Sequence, residues 1–527
     1  MSSSVDENAL RREIVRSFQI HAFELKKEAV KLCVKLFLDH DQETRKKWMN
    51  KMIEMLKKQT LQSSLISEEL IKDTFRQCKS KGPTDAGRLL NVFDAFSLPP
   101  YDYYPEMKKM ILRKEKTSLA AETFSFSHAT RQRFLLVQQR AERCASLKNI
   151  KFTTCEILGL NKTIDSVVVL GMLTQPKADC FHVEDLTGSI EVAFKPKNEQ
   201  NPGTKFHEAL FHEHSIAIFE GMFENGVLTV NEVAQVPMES AEITRKELSS
   251  NENWFGGEDK IAFRCSDRLR TALQKQEETS IIFLSEVFFD DKMVMKALFE
   301  LLKGYKDQPP VAIILCGNFC SRPRQTDTID LLDRGFRWLA NQLSSLKNEY
   351  AKTQFIFVPG PDDPFVDTVL PRPHLPSLLF KHVSPIISCT FASNPCRIQF
   401  ASLEIVVFRA NMIKKMCRHA INEIVDETTI PKRFAKSVLS QAHLCPLPPN
   451  IVPVLPDFSH SLALHPLPDL LITADHFDSF IEKFNGIGTI VSNPGSFSSN
   501  DYAFQVYYPS QNRVEASQIP ESVLVDK

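Results

Sequence analysis

Five short polar segments follow apolar runs in the carboxyl-terminal half of the chain, and they hold the side chains whose types could do chemistry. The segments are Ser285-Glu286-Val287, Gly317-Asn318-Phe319-Cys320-Ser321, Gly360-Pro361-Asp362-Asp363, Ala442-His443 and Ala474-Asp475-His476-Phe477. Carboxylate, amide and imidazole groups of this kind are ligands of divalent cations. In an α/β sheet the loops at the carboxyl ends of the strands carry the reactive groups. Any chemistry of this chain is therefore expected at these segments.

The apolar runs before these segments predict strands buried on both faces, because they are short and lack polar alternation. The predicted strands are 281–284, 311–316, 355–358, 403–408, 470–473 and 489–491. Apolar residues at helical spacing over 292–303 and 328–346 separate the first three strands. This alternation predicts an α/β domain over residues 246–527, with a layered sheet covered by helices.

The order and spacing of the polar segments resemble the calcineurin-like metallophosphoesterases. That family places Asp-x-His, Gly-Asp-x-x-Asp, Gly-Asn-His-Asp, Gly-His and Gly-His-x-His after successive strands, and those side chains hold two metal ions that generate a hydroxide nucleophile. Most of the matching positions in this sequence hold a residue of another type, namely Ser285, Val287, Asn318, Ser321, Pro361, Asp362, Asp475 and Phe477. His443 remains as a ligand type, and Asp363 remains as the final acid of its motif.

The replaced positions argue against a metal site. A hydroxyl, an isopropyl group and a proline ring cannot supply the anionic oxygens and imidazoles that divalent cations require. Nucleotide hydrolysis is also disfavoured, because Gly317, Gly360 and Gly495 are isolated and do not form a glycine-rich phosphate loop. The resemblance implies a calcineurin-like phosphoesterase domain with no catalytic residue, no metal and no other cofactor.

The amino-terminal half predicts two further domains and a connector. Residues 1–80 carry apolar residues at helical spacing with lysines and arginines opposite, which predicts a small all-α domain of four or five helices. Residues 81–149 lack a clear period and predict a connector with one helix. Over 150–245 the period becomes two, and Asn225-Gly226 is a strong hairpin signal. The short strands there predict an OB-type β-barrel, the oligonucleotide-binding barrel.

Composition excludes several classes of protein. The 527 residues are 43% hydrophobic and 24% charged, which is ordinary for globular protein and excludes collagen-like, wholly disordered and disulfide-scaffold chains. No apolar run reaches the ~20 residues that cross a bilayer, and no signal peptide is evident, so we expect an intracellular chain with reduced cysteines. The net charge of −1 divides into +9 over residues 1–150 and −10 over the rest.

A phosphoesterase-like domain without its ligands, preceded by a small barrel, resembles the B-subunit family of DNA polymerases alpha, delta and epsilon. The local matches are similar to the epsilon branch, as is the helical amino-terminal domain. They are Phe255-Gly256-Gly257, Leu315-Cys316-Gly317-Asn318-Phe319, Phe357-Val358-Pro359-Gly360-Pro361, Leu370-Pro371-Arg372-Pro373, Asn394-Pro395-Cys396-Arg397-Ile398-Gln399 and Ser440-Gln441-Ala442-His443-Leu444.

The resemblance implies a non-catalytic accessory subunit in the nucleus. In that family the barrel and the inactive phosphoesterase domain grip the zinc-binding carboxyl-terminal domain of the DNA polymerase epsilon catalytic subunit. The amino-terminal domain, which is similar to the lid domain of AAA+ ATPases, connects the polymerase to the replicative helicase through the GINS complex. Small histone-fold polymerase subunits belong to the same complex. The resemblance implies that DNA is contacted mainly indirectly, and it implies no membrane partner.

Two other functions stay open at the level of the sequence. One is a metal-dependent phosphodiesterase or nuclease with a rearranged site, for which His207, Glu208, His212, Glu213 and His214 are the candidate residues. Their spacing differs from HExxH, in which both imidazoles leave a helix on the same side. The other is a direct single-stranded DNA-binding module made of the barrel and the basic helices, whose binding would weaken steeply as salt rises.

Overall fold

The computed structural model describes residues 7–21, 23–38, 42–57, 65–79, 89–197, 203–248, 252–257, 262–322, 327–364, 368–520 and 522. The expected boundary between residues 80 and 81 lies outside these ranges. Within them, no helix is both long enough and apolar enough to span a membrane.

The amino-terminal region is helical, as its apolar spacing predicts. It contains α1 (Glu7–Gln19), α2 (Lys27–Phe37), α3 (Gln42–Lys57) and α4 (Glu68–Lys79), with a short parallel pair of β1 (Glu24–Leu25) and β2 (Leu65–Ile66). The buried side chains of α2 recur every three to four residues, and they are Ala29, Val30, Cys33, Val34 and Phe37. They join buried residues of the other three helices in one apolar core.

The described part of the expected connector, residues 89–149, contains strands as well as the expected helix. The strands are β3 (Leu90–Asp94), β4 (Tyr101–Tyr104) and β5 (Lys109–Leu112), and the helix is α5 (Thr123–Arg143). β4 and β5 form an antiparallel hairpin. Tyr103 of this hairpin is buried against Leu135 and Leu136 of α5 and against Trp254. The connector is therefore fixed to the rest of the chain by aromatic packing.

A closed β-barrel follows, as the period of two predicts. After α6 (Cys155–Gly159) come β6 (Thr163–Lys177), β7 (Cys180–Glu184), β8 (Ser189–Phe194), β9 (Lys205–Phe206), β10 (Ile216–Glu224) and β11 (Val227–Gln235). The order β10-β6-β7-β8-β11 closes because β11 also pairs with β10, and β8 pairs with β11 in parallel. Phe219, Leu228 and Val230 are among the residues that fill the interior. The topology is that of an OB-fold barrel.

Two six-stranded mixed sheets form the carboxyl-terminal domain. The first has the order β15-β14-β13-β12-β21-β22 and the second β19-β20-β18-β17-β16-β3, so β3 completes a sheet otherwise formed by the last third of the chain. The strands are β12 (Ile281–Ser285), β13 (Ala312–Cys316), β14 (Gln354–Val358), β15 (Ser388–Phe391), β16 (Cys396–Phe400), β17 (Leu403–Val407), β18 (Leu470–Ile472), β19 (Phe480–Phe484), β20 (Thr489–Asn493), β21 (Ala503–Tyr508) and β22 (Arg513–Gln518).

Helices α9 (Lys292–Gly304), α10 (Thr328–Ser345) and α11 (Ser377–Val383) cover the outer face of the first sheet, and α12 (Ile413–Arg418) and α13 (Ile430–Gln441) cover that of the second. Helix α8 (Asp267–Gln274) instead packs Leu269 and Leu273 against the layer between the sheets. Apolar side chains from both sheets, such as Phe283, Ile314, Val407 and Ile472, fill the layer between them. Both faces of the central strands are thus buried, which explains their continuous apolar sequences. α7 (Ala241–Glu247) crosses residues 245 and 246, where the barrel was expected to meet this domain.

Buried hydrogen bonds tie the barrel to the carboxyl-terminal domain. The Gln441 side chain accepts a bond from the Ile216 backbone N–H at 2.9 Å and donates one to its carbonyl at 2.8 Å. Asn422 likewise accepts from the Phe211 N–H at 2.9 Å and donates to the Ala209 carbonyl at 2.9 Å. Because these bonds satisfy buried backbone groups, separating the two domains would leave those groups unpaired.

Candidate functional site

The expected site lies where strand ends of the two sheets meet. β12, β13 and β14 are parallel, so Ser285, Cys316 and Val358 end at one edge of the first sheet. In the second sheet β17 and β18 are parallel, and their chains continue towards the same edge. The Ser285 hydroxyl donates to the Ala474 carbonyl at 3.4 Å, and the Phe497 N–H donates to the Ser285 carbonyl at 2.8 Å. These contacts join the two edges.

The side chain of Arg409, which follows β17, fills the point where these loops converge. It is completely buried. Its guanidinium donates to the Glu286 carboxylate at 2.8 Å, to the Asn411 side-chain oxygen at 2.7 Å and to the Gly317 carbonyl. The other oxygen of Glu286 lies 2.7 Å from Nδ1 of His476. A fixed organic cation thus joins the loops after β12, β13, β17 and β18.

Asp363 braces the loops after β13 and β14. One of its oxygens accepts from the Phe319 N–H at 2.8 Å and the other from the Gly360 N–H at 2.7 Å. Burial raises the pKa of Asp363 to about 6, and these two N–H bonds oppose the rise. A methyl group at Gly317 would overlap the Asp363 carboxylate, so the loop needs glycine there. Both carboxylate oxygens therefore serve the backbone of these loops.

Asn318 and Asp362 form a second bridge between the same loops. The Asn318 amide donates to the Asp362 carboxylate at 3.2 Å, and its oxygen accepts from the Asp362 N–H at 3.0 Å. Ser321, beyond them, donates to Asp290 from both its N–H and its hydroxyl. The polar groups of Asn318, Asp362 and Ser321 thus all form hydrogen bonds with a neighbouring loop.

Asp475 binds backbone on the second sheet. One of its oxygens accepts from the Met412 N–H at 2.6 Å and the Ile413 N–H at 2.9 Å, at the start of α12. Burial raises the pKa of Asp475 to about 6, against the effect of these bonds and of the Arg409 charge. Its own N–H donates to Asn493 at 2.8 Å. These bonds orient the loop after β18.

The remaining candidate positions on these loops are apolar. Val287 is completely buried in the core beneath α9 and α10. Phe477 is half-buried and packs on the outer core of the second sheet. Pro361 is half-buried at the turn before Asp362. None of these side chains carries a ligand atom that a divalent cation uses.

His443 is engaged in a different part of the structure. It follows α13, where Ala442 adopts a left-handed conformation. Its Nδ1 lies 2.7 Å from the Cys445 carbonyl and its Nε2 lies 3.3 Å from the Ser459 hydroxyl. Burial holds the pKa of His443 well below the ordinary 6.5. The ring is therefore neutral and satisfied by residues outside the four loops that Arg409 and Glu286 join.

The histidines and glutamates considered for a rearranged metal site do not come together in the structure. His207 lies 3.0 Å from Glu232 on the barrel surface, and Glu208 pairs with Lys432 at 3.0 Å. His212 is completely buried with its Nδ1 2.8 Å from the Glu213 carbonyl. Within the ranges that the structure describes, no group of three or more His, Cys, Asp or Glu side chains is arranged to hold a metal ion.

Sequence reasoning missed the central pair of this edge. Glu286 lies between two candidate positions, and its role follows only from its contact with Arg409. Arg409 directly follows the apolar run 403–408, and a charged residue at the end of a buried strand is the signal that could have found it. A buried charge requires a partner, but the sequence does not say which acid supplies it.

Comparisons with known proteins match all three folded regions. Three family models match, described as the DNA polymerases epsilon N terminal, the OB-fold domain of DNA polymerase epsilon subunit 2-like proteins, and the B subunit of DNA polymerase alpha/epsilon. They cover residues 6–78, 124–237 and 281–482, respectively. The chain is 79% identical to probable DNA polymerase epsilon subunit 2 of Caenorhabditis elegans, covering 100% of this chain and 97% of the relative.

More distant relatives are similar over nearly the same length. DNA polymerase epsilon subunit 2 of Homo sapiens is 30% identical, and the match covers 97% of this chain and 98% of the human protein. The Drosophila melanogaster protein of the same name is also 30% identical, with coverage of 98% and 99%. The similarity therefore extends over the helical region, the barrel and the two-sheet domain together.

Proposed function

The chain belongs to the DNA polymerase epsilon subunit 2 family, and from that premise we propose that it is a non-catalytic scaffold in chromosomal DNA replication. It is an accessory subunit of DNA polymerase epsilon, with the catalytic subunit as partner. Its barrel and two-sheet domain hold the carboxyl-terminal domain of that catalytic subunit. Its helical region, 1–80, reaches the replicative helicase through the GINS complex, and histone-fold subunits share the assembly in the nucleus.

One observation carries the non-catalytic assignment: the Arg409 guanidinium fills the centre of the strand-end edge. A phosphoesterase needs open coordination positions there for phosphate and water. In the proposed phosphoesterase-like domain, the ten positions from Ser285 to Phe477 that correspond to the family's motifs have become structural. Arg409 saturates the nearby acceptors Glu286, Asn411 and Gly317, so the edge keeps its shape without binding substrate.

The rigid junction between barrel and two-sheet domain supports the scaffold role. Gln441 and Asn422 fix barrel backbone to the neighbouring domain through paired buried hydrogen bonds. Arg140 of α5 adds bonds to the Leu439 and Ser440 carbonyls at the end of α13. A surface composed of both domains is thus presented in one fixed geometry, which lowers the conformational entropy that a partner must lose on binding.

The scaffold role is tested by co-expression of this chain with the carboxyl-terminal domain of the catalytic subunit. We expect a stable 1:1 complex on gel filtration, and a chain lacking residues 1–80 should still form it while losing GINS binding. Separate elution of the two proteins would refute the scaffold role. Loss of the complex on removing 1–80 would refute the division of labour between the domains.

The absence of catalysis is tested separately. Purified protein supplied with Mn²⁺ should not hydrolyse a phosphodiester substrate above the level of the buffer. Hydrolysis that disappears in His443→Ala would restore the phosphodiesterase alternative. Binding of single-stranded DNA at physiological salt by segments 1–80 or 150–245 would instead favour the direct DNA-binding alternative, because phosphate contacts weaken as salt rises.

A further inference from the structure

An open groove runs between α9 and α10 on the outer face of the first sheet. Its volume is about 590 Å³. The floor is Phe289 and Gly335, where a methyl group on Gly335 would overlap the Phe289 side chain. The glycine therefore lets α10 approach the loop after β12 closely. The groove is a feature of the helix layer and shares no residue with the Arg409 cluster.

Each helix presents a stripe of residues to this groove, and one of these residues, Gly335 of α10, is also buried in the core. From α9 the lining residues are Lys292, Met295, Lys296 and Phe299, and from α10 they are Leu331, Arg334, Gly335, Trp338 and Gln342. Both sets recur every three to four residues, so each set forms one line along its helix. At ~1.5 Å per residue, the α10 line is about 16 Å long, or roughly three helical turns.

The groove combines apolar walls with a positive rim. Three cations line it, Lys292, Lys296 and Arg334, against the single acid Asp290, so the charges of the lining sum to +2. Outside the lining, Glu300 pairs with Lys303 and Asp333 pairs with Arg337 and His382, whereas Asp291 caps the start of α9 and keeps its charge. Asp330 lies one turn before Arg334 and is exposed. The rim therefore favours an acidic ligand.

Aromatic side chains strengthen the case for a protein ligand. Phe299 and Trp338, which line the groove, are half-buried. Trp and Arg are the residue types that most often contribute large binding energies at protein interfaces. A groove between two helices, with a length of three turns and apolar walls, matches the geometry in which an amphipathic helix binds through i, i+3/4 and i+7 anchors.

We propose that this groove binds an acidic amphipathic helix of a partner protein. The apolar face of that helix lies on Met295, Phe299 and Trp338. Its flanking glutamates and aspartates face Lys292 and Arg334. The partner is defined by this chemistry.

The experiment uses the full chain and a designed probe. The probe is a fluorescein-labelled 18-residue helix with leucines at i, i+4, i+7 and i+11 and glutamates on both flanks, and a second probe replaces every glutamate by lysine. The acidic probe should bind with a dissociation constant on the order of 10–100 μM by fluorescence anisotropy. The basic probe should bind at least about tenfold more weakly.

Matched charge reversals assign the site. Lys292→Glu with Arg334→Glu should weaken the acidic probe at least about tenfold. Arg268→Glu with Lys352→Glu makes the same change in net charge at exposed positions away from the groove, and it should leave the affinity unchanged. Lys292 is the first residue of α9, where glutamate is favourable for the helix, so loss of folding is not expected.

The outcomes separate the proposal from its alternatives. Binding of the acidic probe that is lost only in the groove variant supports the proposal. Equal binding of both probes, equal loss in both double variants, or no binding of the acidic probe would overturn it. Binding of a single-stranded oligonucleotide that is lost in the groove variant, with no peptide binding, would overturn it in favour of a nucleic-acid site.

Discussion

Replacing Arg409 by methionine removes the cation at the centre of the strand-end edge while keeping a side chain of similar length. Arg409 is completely buried and donates to Glu286, Asn411 and the Gly317 carbonyl. In Arg409→Met the buried Glu286 carboxylate keeps only its contact with His476 among the partners described above. The Gly317 carbonyl also loses its donor. We expect the two-sheet domain to be strongly destabilised.

The magnitude follows from the loss of one partner of a buried ion pair, which costs about 3–5 kcal/mol. Methionine fills most of the space, so a cavity adds little. At ~2–4 °C per kcal/mol for domains of this size, the melting temperature should fall by roughly 6–20 °C. If Arg409 only filled space, the substitution would cost much less stability, because other groups would then satisfy the Glu286 carboxylate.

A double-mutant cycle with Glu286→Gln tests the origin of the loss. Urea unfolding of the wild type, both single variants and the double variant should give a coupling energy of at least ~1.5 kcal/mol, because glutamine leaves no uncompensated charge beside the introduced methionine. Arg268→Met, at an exposed position, is the control and should change stability by less than ~0.5 kcal/mol. A loss below ~0.5 kcal/mol in Arg409→Met, or strictly additive losses in the cycle, would refute the reasoning.

Three further predictions concern the barrel and its junction. Gly221→Ala should cost at least ~2 kcal/mol in urea unfolding, because the new methyl group would overlap the Thr229 carbonyl, whereas Gly159→Ala, with open space around it, should be neutral or slightly stabilising. Arg140→Met should cost about 1.5–3 kcal/mol and loosen α5 in hydrogen exchange, since the guanidinium bonds the last carbonyls of α13. Burial lowers the pKa of His212 to about 4. As the pH falls below 6.5, this histidine is therefore protonated in the unfolded chain but stays neutral in the folded chain. His212 therefore contributes to stability above pH 6.5, and about 1.6 kcal/mol of this contribution should be lost between pH 6.5 and 5. His214, His443, His460 and His465 are also buried with lowered pKa values, so His212→Gln should reduce the dependence of the urea midpoint on pH over this range without abolishing it, and an unchanged slope would contradict the prediction.

Local sequence patterns were sufficient to predict the strands in which burial follows a regular pattern. The runs 281–284 and 355–358 lie in strands with both faces covered, and the alternation at 189–194 lies in a barrel strand with one face inward. In each case the period of the sequence records the local environment of the side chains. Asn225-Gly226 was likewise sufficient for a hairpin, because both residues adopt positive φ between β10 and β11.

The pairing of β3 could not be predicted in this way. All five residues of Leu90–Asp94 are half-buried, so the strand shows no alternation. Its partner, β16, lies about three hundred residues later in the chain. Strand propensity depends on such partners, and a short edge strand has only one. A segment of this kind resembles a connector until its neighbour is known.

At the candidate site, prediction from the sequence met a different limit, because a residue type does not reveal which atoms the side chain contacts. His443 has an imidazole that could bind a metal ion, yet both its ring nitrogens contact Cys445 and Ser459. Asp363 has a carboxylate that could do the same, yet both of its oxygens accept backbone N–H groups. Neither use is visible in a motif. A motif gives the atoms that are available, and only the contacts decide whether they face a ligand or the protein's own backbone.

The guanidinium of Arg409 explains how the loops at this edge are held together. Several strand ends bring carbonyl and carboxylate oxygens together, and their mutual repulsion requires a cation. A metal ion would satisfy them while keeping positions open for water and phosphate. An arginine is permanently charged, and its planar donors can be fully used by fixed acceptors. Glu286, Asn411 and Gly317 each accept a hydrogen bond from one of the three guanidinium nitrogens, so the edge gains the electrostatic stabilisation of a cation from a side chain of the protein itself.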